Sequence, residues 1–219
     1  MENEMLNKMG LKTFNMNPYS QNSYIYYDQD SKRAVIFDPG LSKTQLVKHM
    51  SDYEIVAIIL THGHFDHIFS LDKVKHLTQA PVYAYADEKA LLENPKLNMS
   101  AITAQDGKAI TATGDVFVND GDHIKIGEGL FDFFVIHTPG HTAGGMCLYD
   151  QANALLFSGD TLFRESIGRT DLPTGNQKAL LNSITQKLFT LPDETKVYSG
   201  HGKATTIGHE KQNNPYTMM

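Results

Sequence analysis

Cysteine is almost missing from this chain: 219 residues contain one, Cys147, so no internal disulfide can form. That excludes the disulfide-stapled extracellular class and sets the expectation of a reducing, cytoplasmic setting. Long apolar runs are missing too. Stretches such as residues 55–60 fall far short of the ~20 residues that a membrane helix needs, so no membrane partner is expected. The opening MENEMLNKMG has neither the basic start nor the apolar core of a secretory signal. Basic clusters are absent: 19 Lys and Arg stand scattered against 25 acidic residues, for a net charge of −6. A phosphate-tracking stripe is thereby excluded and no nucleic-acid partner is expected. There is no repeat at solenoid periods and no low-complexity tract. What remains is an ordinary globular composition, 41% hydrophobic and 20% charged. It is long enough for one sizeable core, and a single domain over residues 1–219 is expected.

What is present is organised by apolar periodicity. Residues 11–16, 23–28 and 34–38 read as three short strands, divided by turn residues at Asn17-Pro18 and 29–32. Ser42 reads as a helix N-cap, with Leu46, Val47 and Met50 at helical spacing behind it. The unbroken apolar run 55–60 suits a strand buried on both faces. Ile68, Leu71, Val74 and Leu77 form a helical stripe; 81–86 reads as a strand, and Asp87 as the cap of a short helix stopped by Asn94-Pro95. Residues 96–114 are polar, small and weakly periodic, as in a loop or lid. Strand patterns resume at 116–119, 123–126, 131–137, 145–149 and 155–158. A helix at 176–189 turns Leu180, Leu181, Ile184 and Leu188 inward, and 196–199 is a last short strand. Two strand-rich layers covered outside by helices, an α/β sandwich of αββα type, is the expected architecture.

The chemistry is concentrated in residues 61–67, THGHFDH, directly behind the strand at 55–60. In an α/β layer the carboxyl end of such a strand is where ligand crevices form. His62 and His64 are two apart and can face one side, while Asp66 and His67 bend back as the next helix begins. One short loop could thus feed two metals, and the bland alternative is a polar loop with exposed histidines. With 10 histidines in the chain, an HxHxDH match arises by chance on the order of once in a thousand sequences. Further donors follow three later strands, in TPGHT at 138–142, SGDT at 158–161 and SGHG at 199–202. Glycine beside each lone His141, Asp160 or His201 permits tight turns and close backbone approach.

HxHxDH followed by His, Asp and His resembles the metallo-β-lactamase superfamily, whose early Asp motif is similar to FDPG at 37–40. The resemblance implies an αββα sandwich of two mixed sheets with outer helices. It also implies that His62, His64 and His141 hold one metal, that Asp66, His67 and His201 hold the other, and that Asp160 bridges them. Asp38 is either a turn residue or support for the site from behind. Metallo-β-lactamases themselves carry cysteine at the bridging position and are exported. This chain resembles more closely the short bacterial members of the glyoxalase II group, through FSGDTLFRESIGRTDLPTGN at 157–176 and the ending GHGxxTTIGxExxxNP at 200–215. Lys203 departs from that ending, which usually has proline there.

The function so implied is a binuclear metal-dependent hydrolase of a small thioester, yielding acid plus thiol, with a hydroxide shared by two metals as nucleophile and oriented by Asp66. Zinc is the default, with iron or manganese possible, because the donor set lacks thiolate. Only eighteen residues, 202–219, follow His201, too few for the helical glutathione-binding domain of full-length glyoxalase II, so glutathione specificity is not expected. Arg169 and Asp171 read equally as a structural ion pair or as substrate contacts. Cys147 reads as a packed core residue and His137 as structural. The rivals are a mononuclear iron persulfide dioxygenase on the same fold, using His62, His141 and Asp160, and a non-catalytic binding protein.

Overall fold

Alternation along the early strands sorts their side chains onto two faces. In β2 (Asn22–Asp28) and β3 (Arg33–Phe37), Tyr24, Tyr26, Val35 and Phe37 join one core cluster, and Ile25, Ala34 and Ile36 join another. The protein is seen here in a computed structural model that describes residues 8–15, 20–40, 45–103 and 109–218, with 45–47 in backbone only. β1 (Met9–Asn15), β4 (Glu54–Ile59), β5 (Val82–Tyr85) and β6 (Val116–Val118) complete a first sheet in the order β1-β2-β3-β4-β5-β6. A second sheet comprises β7 (His123–Ile126), β8 (Phe131–His137), β9 (Met146–Asp150), β10 (Leu155–Gly159), β13 (Lys196–Ser199) and β14 (Thr205–Thr206), in the order β14-β13-β10-β9-β8-β7. Both sheets are mixed: β3 to β6 run parallel and β10 is parallel to β13, with antiparallel pairs elsewhere.

Three apolar layers result. Between the sheets lie Tyr24, Tyr26, Phe37, Ile59, Phe133, Leu148 and Phe157. Helix Leu71–Thr78 covers the first sheet through Leu71 and Val74, and the segment 177–190 covers the second through Leu180, Ile184 and Leu188. This is the αββα sandwich of two mixed sheets. Aromatic contacts knit the middle layer: Phe37 stacks on Phe157 at 3.9 Å and meets Phe133 edge-on at 5.3 Å. Phe133 is fully buried, and Phe133→Ala is expected to cost about 3–5 kcal/mol of stability, read from urea unfolding.

Several local expectations are corrected. Leu77 is 52% exposed, not inward. A strict three-residue step lags the 3.6-residue turn and walks around the helix, and the segment divides into Phe65–Ile68 and Leu71–Thr78. Asp87 caps nothing; it lies inside a 3-10 turn, Ala86–Glu88, that feeds helix Lys89–Glu93. The helix read at 176–189 is capped by the Asn176 side chain, which accepts from Ala179 N at 3.0 Å. It then widens to a π turn at Ser183–Lys187, and Leu181 is only half-buried. Residues 196–199 are not the last element, since β14 and helix Ile207–Asn213 follow, capped by Thr206. Nor did periodicity reveal the hairpin β11 (Leu162–Phe163) and β12 (Ser166–Ile167), whose two-residue strands are too short to carry any.

Met16, Asn17-Pro18, Tyr19, Ser42 and residues 104–108 lie outside the described residues. The flanks of 104–108 are anchored: Asn98 donates to Ile110 O at 2.9 Å and accepts from Phe65 N at 3.0 Å. Among the described residues, no helix is long and apolar enough to cross a membrane.

Candidate metal centre

Strand direction brings the expected donors to one edge of the sandwich. β3 and β4 are parallel, as are β10 and β13, and β8 runs with β10 because both are antiparallel to β9. Their carboxyl ends deliver Asp38, the 61–67 loop, Asp160, His201 and His141. Ligand atoms of His62, His64 and His141 lie within 4.8 Å of one another; so do those of His62, His67 and Asp160, and those of Asp66, His67 and His201. All seven residues thus meet in one cluster. Asp160 sits at its centre: Oδ2 is 3.4 Å from both His141 Nε2 and His201 Nε2, and Oδ1 is 3.3 Å from His67 Nε2. Asp66 Oδ2 lies 3.3 Å from His201 Nε2. His62, His64 and His67 are buried, whereas the His201 side chain is 27% exposed and marks the open side.

Hydrogen bonds behind the rings fix which nitrogen faces the cluster. Asp38 Oδ1 accepts from Thr61 N, and its Oδ2 accepts from Thr61 Oγ1, both at 2.7 Å. Having spent its proton there, the Thr61 hydroxyl acts as acceptor for His62 Nδ1 at 3.2 Å. Asp38 Oδ2 also accepts from His67 Nδ1 at 2.9 Å. One carboxylate therefore turns the Nε2 atoms of His62 and His67 inward. It does so from a strained backbone, because Asp38 has φ +47°. His141 is set in the same way: its Nδ1 donates to Arg169 O at 2.7 Å. The His201 loop is held from β2, where Asn22 Nδ2 donates to Ser199 O and Gly202 O at 3.0 and 2.9 Å. Tyr24 OH adds a bond to Ser199 O at 2.6 Å.

These residues suit cations. The Nε2 atoms of His62 and His67 and Oδ1 of Asp160 are buried with no hydrogen-bond partner, and His64 meets His141 Nε2 through its Nδ1 at 2.9 Å. Burial, then the neighbouring His67, keeps His62 neutral; burial and His141 push His64 down to about 3. Neutral imidazole is the ligand form. Burial opposes protonation of His67 and His201, but the carboxylates prevail, raising His67 well above its usual range and His201 to about 10. Burial likewise opposes ionisation of Asp66 and Asp160, and the facing histidines hold both below the usual carboxylate range. Two close acids, Asp66 and Asp160, among five histidines, with no thiolate in reach, form a set that can hold divalent metal ions.

The remaining expected residues fall around this cluster. Asp38 stands behind it. Arg169 and Asp171 are on the exposed rim, forked together at 2.7 and 2.6 Å, and what touches the cluster is the Arg169 carbonyl. Cys147 is fully buried, and burial pushes its thiol up to about 11. His137 stacks on Tyr85 at 4.2 Å and bonds Ala143 O. Sequence reasoning missed the Arg169 carbonyl, which no side-chain motif encodes. It also missed Glu88, a buried acid whose only signal is a charge just past an apolar strand.

Comparison with known proteins gives matching results. A family model described as the metallo-beta-lactamase superfamily matches residues 16–201. A probable metallo-hydrolase of Streptococcus pyogenes is 40% identical, covering 87% of this chain and 84% of its own. The hydroxyacylglutathione hydrolase GloC of Haemophilus influenzae is 32% identical, covering 95% and 98%. Among crystal structures, BLEG-1 B3 metallo-beta-lactamase superposes with TM-score 0.88 at 42% identity, covering 96% of this chain and 100% of its own. TTHA1623 in a di-iron-bound form gives 0.81 at 34%, covering 94% and 99%. ETHE1 from Myxococcus xanthus gives 0.75 at 30%, covering 94% and 83%.

Proposed function

The chain belongs to the metallo-beta-lactamase superfamily, and on that premise we propose that it is a binuclear metal-dependent hydrolase cleaving a small thioester to acid and thiol. One observation carries this: the donors include two triples with no shared member, His62 with His64 and His141, and Asp66 with His67 and His201, which a third group, His62 with His67 and Asp160, joins, and Asp160 faces members of both. Each triple would hold one metal, and Asp160 would help to hold both. The similarity to GloC, a hydrolase of hydroxyacylglutathione by its name, supports an acyl-thiol substrate. When bound, two divalent ions lower the pKa of coordinated water toward neutrality and polarise an acyl carbonyl. Zinc is the first choice; the likeness to a di-iron-bound structure keeps iron under test.

The chain's own groups divide the remaining work. Asp66, its side chain 12% exposed on the open side, accepts a hydrogen bond from the attacking water and aims it. Phe163, whose ring centroid is 5.9 Å from that of His201, gives the entrance an apolar wall. Arg169 and Asp171 on the rim are candidates to touch the substrate. With a thiol pKa near ~8.5, the leaving thiolate departs at neutral pH without a strong general acid. The reading includes a reducing cytoplasmic setting, to which the single buried Cys147 is suited, and no nucleic-acid or membrane partner. A second reading, hydrolysis of a β-lactam at the same site, draws on the 42% identity to BLEG-1.

The test is metal content measured together with a panel of thioesters, lactones, β-lactams and persulfides. Two ions per chain are expected, with thioester cleavage abolished by a chelator and restored by zinc. One iron per chain with oxygen uptake on a persulfide would make the protein a dioxygenase. Two ions with no turnover on any of the panel would leave a binding protein.

A further inference from the structure

Glu88 is a buried acid, 1% exposed, just past the end of β5. Its Oε2 accepts from Gly63 N at 3.0 Å, and its Oε1 accepts from Gly144 N at 3.0 Å and from the Thr142 hydroxyl. Gly63 lies between His62 and His64; Thr142 and Gly144 are one and three residues after His141. Both loops also press on the segment that carries Glu88. A Cβ on Gly63 would meet Leu91 and Leu92 side-chain carbons at 2.8 and 2.9 Å, and one on Gly144 would meet Glu88 N at 2.5 Å. Each glycine is thus a close-approach position against one common platform.

We infer that Glu88 is a positioning residue for the three-histidine set: its ionised carboxylate bolts the loop bearing His62 and His64 to the loop bearing His141. Two of these partners, the Gly63 and Gly144 amides, can only donate, and each takes one of the carboxylate oxygens as acceptor. Burial pushes the acid up to about 6, opposed by those donors, so it is ionised at neutral pH. The two loops belong to different sheets, β4 in the first and β8 in the second. Relative movement of the sheets would therefore pull His141 away from His62 and His64, and Glu88 resists that movement at the ligands themselves. The second triple has no such contact with Glu88, so its metal should be insensitive to the change. The inference rests on the proposed assignment of His62, His64 and His141 to one metal, and it does not depend on which substrate is cleaved.

The experiment titrates metal-free wild type, Glu88→Gln and Thr142→Val with Zn2+ against a chromophoric chelator, with His64→Ala marking the step that belongs to the three-histidine site. Glutamine keeps the volume but turns an N–H toward at least one of the donors. In Glu88→Gln that step is expected to weaken about 10–100-fold, with the other step unchanged and the metal-free melting temperature within a few degrees of wild type. Thr142→Val, which removes one donor of three, is expected to shift the same step less. Unchanged affinity at the three-histidine step overturns the inference, as does equal weakening of both steps with a large loss of metal-free stability, which would make Glu88 merely structural. If wild type binds zinc but cleaves no thioester, the proposed function fails while the zinc titration still decides this point.

Discussion

Asp160→Asn is expected to lower thioester turnover at least about a thousandfold while the protein stays folded. The side chain stands where the two donor triples meet, with Oδ2 at 3.4 Å from His141 and His201 and Oδ1 at 3.3 Å from His67. An amide of the same shape removes the negative charge and turns one of those positions into a donor. One of the two positions then no longer presents an oxygen to the histidines it faces. Backbone context should tolerate the change, because the side chain is not part of the apolar layers. Metal analysis separates the outcomes: the variant should retain fewer ions than wild type, and added zinc should not restore the rate. Two tightly held ions together with more than about a tenth of wild-type turnover would sink the bridging assignment.

Asp38→Asn should weaken metal binding about 10–100-fold without unfolding the chain. Asparagine tolerates the left-handed backbone at this position, where φ is +47°, so the change isolates the carboxylate. Asp38 accepts from Thr61 N, from Thr61 Oγ1 and from His67 Nδ1. A neutral amide must present an N–H to one of these donors, releasing the Thr61 backbone N–H in one orientation or His67 in the other. The ring orientations then become free to change. Thr61→Val should reproduce only the part that acts through His62, since His67 reaches Asp38 directly. A full-strength zinc site in Asp38→Asn would show that packing alone holds the rings, and would remove Asp38 from the site.

How much of this was legible depended on sequence separation. THGHFDH announces itself because four candidate ligands are packed into one loop, and local spacing survives folding. His141, Asp160 and His201 were readable because each follows an apolar strand and has a glycine beside it. The hairpin β11–β12 and helix Ile207–Asn213 were not, since neither is long enough to show a period. Yet the ending that was read only as a family signature has a visible task. Glu210 accepts from Glu165 N at 2.8 Å and Asn214 donates to Ser166 O at 3.0 Å, which hold the hairpin that carries Phe163 beside His201.

By itself the sequence determined the layered αββα architecture, through strand and helix periodicity, and the candidate donor residues, through residue type at strand ends. Only the tertiary structure decided which nitrogen of His62, His67 and His141 faces the cluster. That choice is made by Asp38, the Thr61 hydroxyl and the Arg169 carbonyl, groups that become neighbours only when strands are paired. It also decided that Glu88 touches both ligand loops, at separations of 25 and 56 residues along the chain. Periodicity describes which face of an element is apolar; a hydrogen bond needs two positions fixed within about 3 Å. For partners so far apart in sequence, strand pairing within a sheet and the packing of one sheet on the other supply that precision.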